Sequence, residues 1–157
     1  MLKKVFLLIL LSFLIYSCTS EDDICLSGDT TSRLKVKFKT KEGKLKTLDS
    51  LYIKVDYGNG AESILAQKST IDSALVPLRI DESTFTDLYF STSKDGIFSK
   101  VKLNYTSTTE FVSPACGFKR NYENLNPVLE IPSEVTTLEK NQNQILNEDK
   151  THLFLIF

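Results

Sequence analysis

Three cysteines are the residues of this sequence with the broadest chemistry: Cys18, Cys25 and Cys116. A cysteine thiol can accept a lipid, form a disulfide, bind a metal or act in redox catalysis. No two of these cysteines have the C-x-x-C spacing of a redox motif, so the sequence does not indicate a dithiol catalyst. The role of each cysteine must therefore be inferred from the segment that contains it.

The segment before Cys18 has the pattern of a secretory signal. A short positive region precedes the apolar run VFLLILLSFLI. This run is shorter than the roughly 20 apolar residues that a membrane-spanning helix needs. Residues 15–18, Ile-Tyr-Ser-Cys, resemble a bacterial lipobox, although Tyr16 departs from the small residue common at its position. We expect residues 1–17 to be a signal peptide and Cys18 to be lipidated; an ordinary cleaved signal with an incidental cysteine is the alternative.

Lipidation at Cys18 would attach the mature chain to a membrane. A diacylglyceryl group together with an amide-linked acyl chain such as palmitate buries many methylenes. Each buried methylene contributes ~0.8 kcal/mol, so the attachment is effectively permanent. We therefore expect residues 18–32 to be a lipid-anchored tether and residues 33–157 to form the folded domain.

Cys25 and Cys116 remain for other chemistry once Cys18 carries lipid. Export would place them in an oxidising compartment, where two leftover thiols tend to pair. We expect a Cys25–Cys116 disulfide, which in the chain-entropy model would stabilise the fold by on the order of 4 kcal/mol. Two free buried cysteines are the alternative, because Cys is readily buried as a small hydrophobe.

Short segments with alternating apolar residues fill the predicted domain. RLKVKFK at 33–39 has the two-residue period of a half-buried strand. Asn59-Gly60 and Asp95-Gly96 predict hairpin turns, and the apolar THLFLIF at 151–157 is typical of a strand in the middle of a sheet. We expect about seven to nine strands in an antiparallel β-sandwich, immunoglobulin-like or transthyretin-like. The sequence has no Trp, which disfavours a true immunoglobulin domain.

Catalytic and metal-binding motifs such as H-E-x-x-H and G-x-S-x-G are absent from the sequence. His152 is the one histidine, and its position before the terminal apolar run favours a structural role. DYGNGAE at 56–62 fails the spacing of an EF-hand and fits a hairpin. We therefore expect no catalytic residue, metal or cofactor. Paired carboxylates stay open as an alternative, because five aspartates are available to meet in space. They are Asp49, Asp56, Asp72, Asp81 and Asp87.

Four cations share one face of the first predicted strand. They are Arg33, Lys35, Lys37 and Lys39. We interpret them as the solvated face of an edge strand, where charge discourages aggregation; contact with anionic polysaccharide or lipid headgroups is the alternative. A sugar would need aromatic stacking platforms, for which four tyrosines are available. They are Tyr52, Tyr89, Tyr105 and Tyr122. The formal net charge of −1 gives no indication of a nucleic-acid partner.

Five segments together resemble a known family. They are CTSEDDIC at 18–25, RLKVKF at 33–38, VPLRI at 76–80, LYFSTS at 88–93 and VSPACGFKRNYENL at 112–125. They are similar to segments of small uncharacterised lipoproteins from Bacteroidetes-type bacteria, a domain of unknown function. The resemblance implies an envelope location and supports the Cys25–Cys116 pairing. It implies no activity, substrate or catalytic residue.

Three acidic residues, Glu21, Asp22 and Asp23, follow shortly after Cys18. In lipoproteins of such bacteria, acidic residues at this place resemble a surface-export signal. The alternative is a hydrated spacer between the anchor and the domain.

The sequence thus predicts an outer-membrane lipoprotein, facing the periplasm or the cell surface, whose domain is a non-enzymatic accessory or protein-interaction module. Its expected partners are the membrane, through the lipid anchor, and an unidentified envelope protein or glycan. A lipoprotein that binds a glycan or small ligand is the alternative, and an enzyme comes third. A concave pocket lined by aromatic residues would favour the second class, and convergent carboxylates would favour the third.

Overall fold

The computed structural model describes residues 25–67 and 69–157. The predicted signal peptide at 1–17, the lipidation site Cys18 and the acidic trio Glu21–Asp23 lie outside the described residues. These assignments therefore stay predictions.

Two β-sheets packed together form the described domain, which confirms the predicted all-β sandwich. Its eleven strands are β1 (Leu34–Lys39), β2 (Leu45–Lys46), β3 (Leu51–Asp56), β4 (Ala61–Gln67), β5 (Ser73–Val76), β6 (Phe85–Ser91), β7 (Ser99–Ser113), β8 (Gly117–Ile131), β9 (Thr137–Lys140), β10 (Gln144–Ile145) and β11 (Leu153–Ile156). One turn of 3-10 helix, Ser27–Asp29, precedes them. The strand count exceeds the predicted seven to nine because β2 and β10, with two residues each, are too short to produce a sequence pattern.

The strand order shows one departure from a purely antiparallel sandwich. The first sheet has the order β2-β1-β11-β9, with β5 also paired to β1, and the second has the order β10-β8-β7-β6-β3-β4. β1 and β11 run parallel, with Val36 opposite Leu153. The other pairings among the described strands are antiparallel. The parallel pair arises because the end of the chain enters the first sheet between β1 and β9.

The core lies between the sheets, and the alternation in β1 shows how the sequence builds it. Leu34, Val36 and Phe38 are fully buried, while the intervening lysines are only partly covered. β3 contributes Ile53 and Val55 from the facing sheet, and both are also fully buried. Burying each such side chain stabilises the fold by about 1.5–3 kcal/mol relative to exposure.

The position of β1 corrects one prediction, and that of β11 fits another. β1 is an inner strand, with β11 on one side and β5 and β2 on the other, so its interpretation as an edge strand is wrong. β11 lies between β1 and β9, as its continuous apolar sequence predicted. Edge or inner position depends on long-range pairing, which the alternation of one strand does not reveal.

Both predicted hairpins form, joining β3 to β4 and β6 to β7. The first has a longer loop than a two-residue Asn-Gly turn. Its left-handed residues are Gly58 (φ 104°) and Gly60 (φ 100°), and Asp56 Oδ1 accepts hydrogen bonds from both of their backbone N–H groups. Asp56 therefore organises the turn.

Candidate binding site

A disulfide joins Cys25 to Cys116, as the sequence predicted. The Cα atoms of the two residues lie 5.6 Å apart. Cys116 lies in the turn between β7 and β8, where its backbone N–H donates to Ser113 Oγ at 3.1 Å. Gly117 follows with a φ of 70°, a conformation that favours glycine because it has no Cβ. The turn thus presents Cys116 to the segment that begins the described chain.

The β7–β8 hairpin extends well past the buried core. Its strands have 15 residues each. The last buried side chains on its inward face are Tyr105 and Tyr122. Their rings meet edge to face, with centroids 5.0 Å apart. No residue from 106 to 121 is buried. We call residues 106–121 the hairpin arm.

A bulge at Asn124 marks the base of the hairpin arm. The register between β7 and β8 shifts between Asn104 and Thr106, and Asn124 takes a left-handed φ of 54°. Its side-chain amide donates to Thr106 Oγ1 at 3.1 Å. Bulges bend a strand pair and increase its twist, so this position sets the direction in which the arm leaves the sheet.

The first described residues lie along the hairpin arm. Lys119 Nζ donates to the Gly28 carbonyl at 3.1 Å, and the Arg120 backbone N–H donates to Thr31 Oγ1 at 2.9 Å. Together with the disulfide, these bonds hold residues 25–31 against β8. The polypeptide that precedes Cys25 therefore joins the domain at the tip of the arm.

The tip of the hairpin arm has one apolar and one polar face. Phe111 pairs directly with Phe118, with ring centroids 5.3 Å apart. Their exposed fractions are 57% and 68%, although aromatic rings are usually buried. Their neighbours Glu110 and Lys119 project to the opposite face, since side chains alternate along a strand, and form an ion pair at 3.5 Å.

A groove lies near the base of the hairpin arm, between the turn after β3 and the loop after β5. Its volume is about 380 Å³, and the residues that line it include Tyr57, Leu78, Arg79, Ile80 and Asp81. Ile80 is 69% exposed. A mostly apolar concavity with a few polar groups is the usual form of a small-molecule site.

The charge of Arg79 in this groove is largely balanced. Its Nε donates to both carboxylate oxygens of Asp81 at 3.1 Å. This hydrogen bonding is the main cause of the lowered pKa of Asp81. A Cβ at Gly58 would come within 2.9 Å of Arg79 Nη2, so glycine there leaves room for the guanidinium. The groove therefore offers a positioned guanidinium beside apolar side chains.

Arg120 connects the groove to the hairpin arm. Its Nε donates to the Ile80 carbonyl at 2.8 Å and its Nη2 to Glu82 at 2.6 Å. Tyr122 donates its hydroxyl hydrogen to the Arg79 carbonyl at 3.0 Å. The sequence did not indicate this arrangement, because the groove comes from loops and from strands distant in the chain. The sequence indicated the VPLRI segment as part of a strand and of the family resemblance, and not as the lining of a groove.

The five aspartates considered for acid–base chemistry do not form one site. Asp56 caps the β3–β4 turn, and Asp81 pairs with Arg79. Asp72 lies 3.7 Å from Lys37 Nζ, and Asp87 lies 3.0 Å from Lys100 Nζ. Asp49 lies in the loop before β3. Four of the five thus serve a turn or ion pairs, although Asp56 and Asp87 lie opposite each other on β3 and β6.

His152 has a structural environment. It is 2% exposed, and its Nδ1 accepts the backbone N–H of Lys35 at 2.8 Å. Burial is the main cause of its lowered pKa, and a hydrogen bond to the backbone of Asn147 acts in the opposite direction. The neutral imidazole thus bridges β1 and the segment before β11.

The cationic row at 33–39, for which contact with anionic polysaccharide was the alternative interpretation, is largely neutralised. Arg33 pairs with Glu148 at 2.7 Å and Lys39 with Glu139 at 2.8 Å, while Lys35 Nζ donates to a backbone carbonyl. Most of the proposed stacking platforms are not accessible either. Tyr52, Tyr105 and Tyr122 are buried, and Tyr89 is partly covered. The sequence analysis did not count Tyr57, an aromatic residue that lines the groove, among the stacking platforms.

Two further observations concern residues 25–67 and 69–157. Within them, no group of three His, Cys, Asp or Glu residues is arranged to hold a metal ion. No helix in these ranges has the length and apolar character required to cross a bilayer.

Comparison with known proteins gives one match. A model described as a family of unknown function (DUF6452) matches residues 50–157, a span that contains the groove and the hairpin arm. No curated protein and no solved structure matches the chain. The match covers more than half of the sequence and agrees with the predicted resemblance to an uncharacterised domain. The chain therefore belongs to this family of unknown function, DUF6452.

Proposed function

We propose that this protein is an outer-membrane lipoprotein, anchored at Cys18, whose β-sandwich serves as a non-enzymatic protein-interaction module of the cell envelope. The observation that carries the proposal is the Cys25–Cys116 disulfide. Disulfides persist in oxidising compartments, so the bond supports the export predicted from residues 1–17. Cys25 lies seven residues after the proposed anchor, so the bond also links the tether to the domain.

The hydrogen bonds and ion pairs of the titratable groups support a non-enzymatic role. His152 is buried with its Nδ1 hydrogen-bonded to backbone, and Asp81 and Asp87 belong to separate ion pairs. Catalytic acids and bases need groups that converge on a reacting atom. The hairpin arm instead offers an exposed surface on a rigid base, which suits binding.

Membrane fractionation tests the anchor. Wild-type protein should incorporate labelled fatty acid and pellet with membranes. Cys18→Ala should do neither, whereas the matched variant Cys25→Ser should still be labelled. Membrane retention of Cys18→Ala, with no label in the wild type, would contradict the proposal.

The surface-export role of the acidic trio needs its own experiment. Protease added to intact cells should degrade the wild type, and a variant with Glu21→Gln, Asp22→Asn and Asp23→Asn should be protected. Lysed cells provide the control, because both forms should then be equally sensitive. Equal sensitivity in intact cells would assign the trio to a spacer.

Ligand binding in the groove is a second candidate function, favoured by the exposed Ile80 beside Arg79. NMR titration with oligosaccharides released from the producing cells' envelope would test it. Binding should shift the signals of residues 57–60 and 78–82 and should weaken in Tyr57→Ala. Tyr89→Ala, outside the lining described, is the matched control. Unchanged spectra at millimolar oligosaccharide would exclude these sugars as ligands.

A further inference from the structure

The exposed aromatic pair Phe111–Phe118 lies at the same end of the molecule as the start of the tether. Phe118 is two residues from Cys116, which is bonded to Cys25. Leu26, next to Cys25, is 67% exposed. An exposed pair of aromatic rings in edge-to-face contact, beside a further exposed apolar side chain, is a candidate contact surface.

The proposed anchor limits how far this end can be from the membrane. Six residues lie between Cys18 and Cys25, so seven Cα–Cα steps join them. A fully extended chain spans at most about 3.6 Å per step, which gives roughly 25 Å. Cys116 lies 5.6 Å from Cys25 between Cα atoms, so the tip shares this restriction. A tether this short gives the tip a high effective concentration at the bilayer, where weak contacts suffice for binding.

We propose that the Phe111–Phe118 face of the hairpin arm inserts into the interfacial layer of the phospholipid bilayer that carries the Cys18 anchor. This inference rests on the proposed function, since it needs the anchor. Aromatic and aliphatic side chains commonly enter the boundary between headgroups and acyl chains. The Glu110–Lys119 ion pair on the opposite face keeps that side of the tip hydrated. Insertion would fix the orientation of the domain, with the groove held near the membrane.

The absence of Trp from the sequence allows a direct test. Phe118→Trp introduces a fluorescent reporter at the tip, and Phe111→Trp provides a second one. Ile97→Trp is the matched control, because Ile97 is 75% exposed and precedes the opposite end of β7. A strand of this length spans roughly 45 Å, which places the control far from the tip.

Each protein should be purified in its lipidated form, checked for acylation by mass spectrometry, and reconstituted into phosphatidylethanolamine–phosphatidylglycerol vesicles containing acyl-brominated lipid. The tip reporters should show emission at shorter wavelength than that of Ile97→Trp in the same vesicles. Brominated lipid should quench the tip reporters relative to detergent-free vesicles without bromine, and it should leave Ile97→Trp unquenched. Water-like emission from both tip reporters in acylated protein would overturn tip insertion alone. Equal quenching at Ile97 would also overturn it, because contact would then not be specific to the tip. A missing acyl group would overturn the proposed anchor and this inference together.

Discussion

Cys25 and Cys116 are 91 positions apart in the chain, and their bond closes the tip of the β7–β8 hairpin onto the segment that begins the described domain. The bond lies outside the core, beyond the Tyr105–Tyr122 pair. It therefore constrains an exposed arm and the segment at 25–31, and it limits the freedom of the unfolded chain.

Removal of the disulfide should destabilise the domain. Cys25→Ser and Cys116→Ser should each lower the free energy of unfolding by about 2–4 kcal/mol. The double variant should be no less stable than either single one, because all three lack the same bond. Denaturant unfolding without reductant measures the effect. Additive losses in the double variant would indicate that the two cysteines stabilise the fold separately.

Asn124 should be sensitive to substitution because of its left-handed backbone. Asn124→Ala should cost roughly 1–2 kcal/mol, since alanine disfavours φ near 54°. Asn124→Gly should cost less, because glycine adopts this conformation readily. Asn126→Ala on the same strand is a matched control. Asn126 accepts a hydrogen bond from Asn104 Nδ2 through its backbone carbonyl, which alanine retains. Thermal unfolding compares the three, and equal losses at 124 for Ala and Gly would contradict the backbone explanation.

His152 should make stability depend on pH. Its pKa is lowered in the folded state, so below the unfolded value of about 6.5 the unfolded chain binds more protons. Stability should therefore fall as the pH drops from about 7 towards the folded pKa, by at most about 1.4 kcal/mol per pH unit. His152→Asn, which can still accept the Lys35 N–H, should be nearly flat over this window in urea unfolding. An unchanged slope would assign the effect to other groups.

Arg120 should hold the loop after β5 against the hairpin arm. Lysine cannot donate to Ile80 and Glu82 in the fork geometry of a guanidinium, so Arg120→Lys should loosen the loop by on the order of 1 kcal/mol. Hydrogen exchange should accelerate at residues 79–83 and stay unchanged in β1. Unchanged exchange in the loop would show that other contacts suffice to hold it.

The sequence predicted the features that depend on local pattern. The alternation at 33–39 indicated a half-buried strand and the continuous apolar run at 151–157 indicated an inner strand, and both form. The interpretation of the first strand as an edge strand was wrong. The parallel pairing of these strands was not predictable, because it depends on contacts between the two ends of the domain. The cysteine pairing was predictable only because the predicted export and a small cysteine count left few alternatives.

The candidate site was less accessible from the sequence. Phe111 and Phe118 look like ordinary strand residues, and their exposure follows from a hairpin longer than the sheet that would cover it. Asn124 carries no turn signal such as a following glycine, yet it adopts a left-handed conformation. The groove combines Tyr57 and Arg79 from separate loops, an arrangement that only the folded structure reveals.

The most direct test of the account is non-reducing peptide mapping of protein purified from membranes. Trypsin should release residues 18–33 joined to residues 103–119 through Cys25–Cys116, and the linked species should carry the mass of acyl groups on Cys18. Reduction should separate it into one acylated and one unmodified peptide. An unacylated N-terminal peptide, or Cys25 and Cys116 alkylated without reductant, would contradict the account of a lipid-anchored domain closed by a disulfide.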